Sequence, residues 1–351
     1  MRLVNIPSDI SVWAGNGGEL ITTGLKRRIV MSIDYGGNLW NGGSCSIRMW
    51  EPSGMTPLTT QGGRWRVQVA GVDRFYGFLD NSSVERQNGG YMRTYQLRDC
   101  LQAWDVLLTN KTYPDPPVAS DSYTVGTALS SMVATVAGLS GINAFSSIPT
   151  CTMLVKDLYE DGVLEITNSS YLAEILRVCQ DIGYKPVADP GFGDVRIIDM
   201  MAGPQGILGL ASDTLIDASF SVAATSIPAT VLAADDMSGT GVAYGKLGTG
   251  ANYNGTNWAM TGINSVVWAS TQGVKAAKLP TIAKQVYDLA RGASQILTVK
   301  VAGPESSTRR IIGKELVWTD AAGRKGNYWI FSHQTHIDAS SYTTTYQGWI
   351  V

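Results

Sequence analysis

Residues 294–303, SQILTVKVAG, run on to GKELVWTD at 313–320, GNYWIFSHQTHID at 326–338 and SYTTTYQGWIV at 341–351. In the first of these segments Leu297, Val299 and Val301 fall on one side, and Ile296, Thr298 and Lys300 on the other. That is the period-two pattern of a strand with one buried face. The three segments that follow are strand-like too, with room only for turns between them. The C-terminal end therefore predicts a small antiparallel sheet or barrel, entered from a helix over Pro280 to Gly292.

Working outward, the same pattern recurs near the other end. RRIVMSIDY, SCSIRMWEP, RWRVQVAG, DRFYGFLD, VERQ and YMRTYQLRD predict strands near 27–35, 44–50, 64–70, 73–80 and 83–98, the last a pair turning at Asn88 and Gly89. In RWRVQVA, Trp65, Val67 and Val69 point inward, and Arg64, Arg66 and Gln68 outward. Turn strings such as YGGN, NGGS and QNGG, drawn from 39 glycines, supply the positive φ that hairpin corners require.

Between the two β-regions the period changes. Pro114, Pro116 and Pro117 break regular structure and mark a boundary. Leu129, Met132, Val133 and Val136 then follow helical spacing. In SSYLAEILRVCQDIG, Ser170 is placed to cap a helix whose buried stripe is Leu172, Ile175, Leu176 and Cys179, with Gly183 at its end. The turn ADPGFGD leads into the strand VRIID. The piece 212–234 has β-like character without an obvious partner, and 239–273 reads as an excursion of loops or short strands.

Composition narrows the function. The chain has 351 residues, 44% hydrophobic and 16% charged, enough for two or three domains with cores. With 27 basic and 29 acidic residues, no basic field exists to hold nucleic acid by counterion release. The N-terminus lacks a signal-peptide run and no stretch approaches the ~20 apolar residues of a membrane span, so a soluble protein made in the cytoplasm is expected. Cys45, Cys100, Cys151 and Cys179 are scattered without metal-ligand spacing and are read as reduced thiols.

Constellations for chemistry are weak. His333 and His336 are the two histidines, and three apart on a strand they face opposite ways. GTGVAYGKLGTG, from Gly239, has Tyr244 where a third glycine and Leu247 where a P-loop Ser or Thr would stand. Among acidic residues, Asp189 and Asp194 flank a turn, Asp235 and Asp236 begin a loop, and Glu160, Asp161 and Glu165 cluster. All read as turn formers or solvated charges. Trp65, Trp318 and Trp329 lie in strands, where packing is the common use. No catalytic residue, cofactor or metal site is expected.

The order of these pieces resembles the baseplate hub proteins of contractile-tailed bacteriophages, the late-control D family related to the type VI secretion spike. The resemblance is carried by RWRVQVAGVDRFYGFLDNSSVE with YQLRDCLQAWD, by YLAEILRVCQDIGYKPVADPGFGDVRIID, and by ARGASQILTVKVAG through GNYWIFSHQTHIDASSYTTTY. Arg98, Asp99 and Asp105 form its strand exit. It implies an α+β, mainly β chain: a first tube-like barrel over 1–112, an α/β domain over 113–207 continued by 239–290, and a second barrel from 208–238 and 291–351.

The function so implied is a structural, non-enzymatic virion protein of the tail baseplate, assembled in the host cytoplasm. As a homotrimer it would adapt a sixfold tail tube to a threefold spike and line a channel that DNA passes without sequence recognition. Tube, spike and other baseplate proteins would be its partners, the spike being a separate chain because this one ends after its last strand. The alternatives are a hub-like tail-tip protein of a non-contractile phage, or a carbohydrate-binding or wall-degrading tail protein. Outward Arg64, Arg66 and Arg93 are candidate subunit-interface residues.

Overall fold

The computed structural model describes residues 10–14, 19–20, 29–52, 63–87, 89–108, 110–142, 148–210, 215–222, 230–245, 251–253, 266–292, 295–303, 310–319 and 325–350. Strands of five or more residues are labelled here. The first third holds β1 (Ile10–Ala14), β2 (Ile29–Asn38), β3 (Ser44–Pro52), β4 (Arg64–Val69), β5 (Val72–Gln87) and β6 (Gly90–Asp99). The middle holds α1 (Val125–Ser140), α2 (Tyr171–Asp181), β7 (Tyr184–Asp189), β8 (Asp194–Asp199), β9 (Leu215–Val222), β10 (Thr230–Asp235), β11 (Gly241–Gly245) and β12 (Val266–Thr271). The last part holds α3 (Leu279–Gly292), β13 (Gln295–Ala302), β14 (Glu315–Thr319), β15 (Lys325–Asp338) and β16 (Tyr342–Ile350).

Alternation makes the strands. β4 buries Trp65, Val67 and Val69, each worth about 1.5–3 kcal/mol of burial. Ala70 and Gly71 then turn the chain with φ of 52° and 75°, the pair of positive angles that a two-residue type I′ hairpin needs. The segments read as 73–80 and 83–87 form one continuous strand, β5. It shifts register against β6 between Leu79 and Asn81, so a bulge stands where a break was expected.

The two ends of the chain share one sheet. Its order is β9-β13-β16-β15-β2-β3-β6-β5-β4-β1 followed by 19–20, with β14 on the flank of β15 and Ile207–Leu208 on β14. The strand β15 makes the junction: its first half pairs with β14 and its second, Ser332 to Asp338, with Asn38 to Ser32 of β2. One core lies in the N-terminal half, around Val12, Ile47, Trp65 and Phe75, and takes in Ile337 and Tyr342. Another lies in the C-terminal half, around Leu297, Val299, Ile330 and Tyr346.

The middle unit is α/β. On α1, Leu129, Met132, Val133 and Val136 are all buried, the expected stripe. On α2, the Ser170 hydroxyl accepts from the Ala173 amide at 3.2 Å, as a cap should. Of its expected stripe Ile175 and Cys179 are buried but Leu172 and Leu176 are only partly so, and Tyr171, Glu174, Val178 and Asp181 complete the buried face. Gly183 follows with φ 75°. The expected grouping of 208–238 with the C-terminal strands is split: Ile207–Leu208 and β9 join the large sheet, but β10 does not. Thr230, Val231, Leu232 and Ala233 are buried in succession, so β10 is a central strand needing cover on both faces. It pairs with β11 antiparallel and β12 in parallel. The 239–273 excursion thus supplies strands, while 246–250, with the Lys246–Leu247 part of the glycine-rich string, and 254–265 lie outside the described residues.

Candidate functional site: a polar face across the joined halves

Register carries the alternation of single strands across the whole junction. On one side Leu97, Cys45, Tyr35, Thr335, Thr344 and Val301 stand in a row from β6 to β13, all buried. On the other side the matching rows are polar. One runs Gln96, Ser46, Asp34, His336, Thr343. The next runs Arg98, Ser44, Gly36, Gln334, Thr345, Lys300, Asp217. A third runs Asn38, Ser332, Gln347, Thr298, Ser219.

These side chains are mostly hydroxyls and amides, uncharged for the most part, and balanced in sign where charged. Arg98 is paired with Asp80 at 3.1 Å, and Lys300 stands opposite Asp217. At the junction the small residues leave a trough of about 430 Å³, bordered by Asp34, Asn38, Asn41, Ser44, Ser332 and Gln334. Gly36 sets its floor: a Cβ there would lie 2.1 Å from the His333 carbonyl oxygen, so any side chain would push β2 from β15. Such a face offers weak, evenly spread hydrogen bonding and no concentrated charge.

Asp99 fixes the turn beside the trough. Its carboxylate accepts from the Gly43 amide, and from the Leu101 amide at 3.0 Å, so it caps the 3₁₀ helix Cys100–Trp104 and holds the β2–β3 turn at once. Burial pushes Asp99 up to about 6, against the pull of those two amides and Arg98. Thus the Arg98–Asp99–Asp105 exit is a structural device, with Asp105 at the helix's C-cap.

The arginines expected at a subunit seam have partners inside the chain. Arg64 donates to the Gly193 carbonyl at 2.7 Å and lies over Tyr76. Arg66 sits over Trp13, 4.1 Å from its ring centre, with Asp73 at 3.6 Å. Arg93 meets Glu51 at 3.0 Å. Arg64 and Arg66 do point away from the Trp65 face, but Arg93, expected outward, lies on the inward face of β6 with Tyr95 and opposite buried Met49, where its charge is met by Glu51. Asp189 and Asp194, expected to be solvated, are instead bound by Arg196 and Arg310, because Arg310 returns from far along the chain. Asp235 is buried and caps its loop, accepting from the Ser238 and Val274 amides. Asp236 accepts from the Ser270 hydroxyl. Glu160, Asp161 and Glu165 are exposed.

His333 is buried and His336 half exposed on the opposite face. Among the described residues no group of three His, Cys, Asp or Glu could hold a metal ion, and no helix is long and apolar enough to cross a membrane. Cys45, Cys100 and Cys179 are buried free thiols and Cys151 a partly buried one; burial pushes Cys100 up to about 12, far from a reactive thiolate. Trp65 and Trp329 are buried in strands, and the side chain of Trp318 lies outside the described residues.

No family model and no curated protein matches the sequence. Solved structures do match the fold along nearly the whole chain. The 43 kDa tail protein of prophage MuSo2 from Shewanella oneidensis is similar with a TM-score of 0.66 at 12% identity, over 97% of this chain and 96% of that one. A tail protein of Neisseria meningitidis is similar at 0.61 and 13% identity, over 97% and 96%. An Escherichia coli type VI secretion component, described as similar to the T4 tail proteins gp27 and gp5, gives 0.54 at 10% identity over 98% and 77%. The chain has the fold of these tail and secretion-system proteins.

Proposed function

We propose that this chain is a structural, non-enzymatic tail protein: a baseplate hub that associates as a homotrimer and adapts a sixfold tube to a threefold spike. The observation that carries the reading is the sheet itself, in which two strand sets from opposite ends of the sequence meet through β15 and β2 and present one continuous polar face. Two such halves per chain, taken three times, give six places for a tube. We assign the tube-like units to the two halves of the large sheet, and the spike-side and baseplate contacts to the middle unit with β10–β12.

In that arrangement the polar face lines the conduit. Hydroxyl and amide side chains let a polyanion pass without holding it, since among the described residues of these rows the basic side chains Arg98 and Lys300 each stand beside an acidic one, Asp80 and Asp217. The likeness of fold to phage tail proteins supports a place in a virion tail. Among the described residues the sheet ends at β9 and at 19–20 beside β1, and such sheet ends are natural joints between copies.

Native mass spectrometry over a concentration series, alone and mixed with tail-tube and spike proteins of the same genome, tests this. A trimer that binds both is expected. A monomer at every concentration that binds neither would overturn it, and release of reducing sugar from purified cell wall would favour the wall-degrading alternative.

A further inference from the structure

His336 stands on β15 directly opposite Asp34 of β2, at the pairing that joins the two halves of the large sheet. Its Nδ1 is 2.6 Å from Asp34 Oδ1, and its Nε2 is 3.1 Å from Asp338 Oδ2. A neutral imidazole carries one N–H and an ionised carboxylate only accepts, so both contacts are hydrogen bonds only when the ring is protonated. Asp338 cannot turn away. Its Oδ1 accepts from the amides of Ser340 and Ser341, at 2.7 and 2.6 Å, and from both of their hydroxyls.

The other groups facing the ring leave its charge to these two carboxylates. On β16 the neighbours are Thr343, directly opposite, and Thr345; on its own strand, Gln334 precedes it. One strand beyond Asp34, β3 presents Ser46 and Arg48, and Arg48 lies 3.9 Å from Glu85. We propose that the imidazolium of His336 is a pH-sensitive clasp across the β2–β15 seam, tying Asp34 of the N-terminal half to the Asp338 turn of the C-terminal half. When the ring loses its proton, one nitrogen lone pair faces a carboxylate and that side of the clasp opens.

The direction of titration agrees. Burial by itself would lower the imidazole, but the hydrogen bonds and charges of Asp34 and Asp338 together outweigh it and raise the group above its ordinary 6.5. A group raised on folding gives stability that is fully present below the unfolded value and is lost as pH rises through the folded one. The seam is thus firmest in mild acid.

With two histidines in the chain, the ring signals of the full-length protein are assigned by the one that H336Q removes. The His336 midpoint is expected above 6.5 and lower in D34N, which also serves if H336Q does not fold. Deuterium exchange of peptides spanning 332–338 is expected to be roughly threefold or more slower in wild type than in H336Q near pH 6, converging near pH 8.5. A midpoint at or below the ordinary value overturns the proposal, as does a wild-type to variant exchange ratio that is the same at both pH values.

Discussion

Arg196 holds both oxygens of Asp189, Nε to Oδ2 at 2.6 Å and Nη2 to Oδ1 at 2.9 Å. Arg310, from beyond β13, reaches the same carboxylate and binds Asp194 Oδ2 at 2.7 Å. Asp189 is 1% exposed. The β7–β8 hairpin of the middle unit is thereby fastened to the C-terminal half of the sheet, next to the shared core of Val187, Ile198, Ile312 and Trp329. Removing one partner of a buried pair leaves the others charged without compensation, which costs about 3–5 kcal/mol. Asp189→Asn is therefore expected to lower stability by about that amount in urea unfolding. Asp194→Asn, at the more exposed end, should cost less. Equal, small losses would show that the network is solvated.

This network also marks where the sequence stops being legible. Alternation in RWRVQVA places Trp65, Val67 and Val69 without further information, and the Ser170 cap is equally local. The β2–β15 pairing joins Asp34 to His336 across 302 residues, and no local pattern encodes which strand of one half meets which strand of the other. Asp189 reads as a turn former because its partner Arg310 lies 121 residues on. The strand β10 reads as β-like, yet its partners come from a glycine-rich stretch with no strong alternation. The polar face could be seen only once register set Ser46, Asp34 and His336 side by side.

Ala70 occupies the left-handed region at φ 52° and is exposed, a conformation that costs an ordinary L-residue about 1–2 kcal/mol. Asparagine tolerates it better. Ala70→Asn is expected to raise stability by roughly 0.5–1 kcal/mol, and Ala70→Val to lower it. Thermal midpoints of the pair check this; an order reversed from Asn above Ala above Val would mean that the turn is not of the type described.

Asp181 gives a pH signature in the middle unit. It is buried, accepts from the Tyr159 hydroxyl at 2.9 Å and lies 3.9 Å from Arg177. Burial raises it to about 7 from an ordinary 3.8, against the pull of Arg177 and Tyr159. Above pH 3.8 the unfolded chain has released this proton while the native state still holds it, so its contribution to stability falls as pH rises through about 7. Asp181→Asn keeps an acceptor for Tyr159 and cannot ionise. The stability of wild type relative to D181N should decline across that window, read from urea midpoints at successive pH values. A flat difference would mean that the carboxylate is ionised throughout.

Arg93 separates an internal role from a seam between subunits. Its Nε is 3.0 Å from Glu51 Oε2, while the Tyr95 hydroxyl donates to Glu51 Oε1 at 2.6 Å. Glu51 is 1% exposed and the Arg93 side chain 12%. Taking the guanidinium away removes an opposite charge from beside a buried carboxylate, so Arg93→Ala is expected to cost about 2–3 kcal/mol. Because that loss is intramolecular, the native mass of the folded R93A protein should match wild type at each concentration. A seam residue would behave in the opposite way, with unfolding unchanged and the assembly dissociating at a higher concentration. Arg98, half exposed on the polar face and paired with Asp80 at 3.1 Å, is the control. Its removal should cost less than about 1 kcal/mol, which sets the scale against which the Arg93 loss is read.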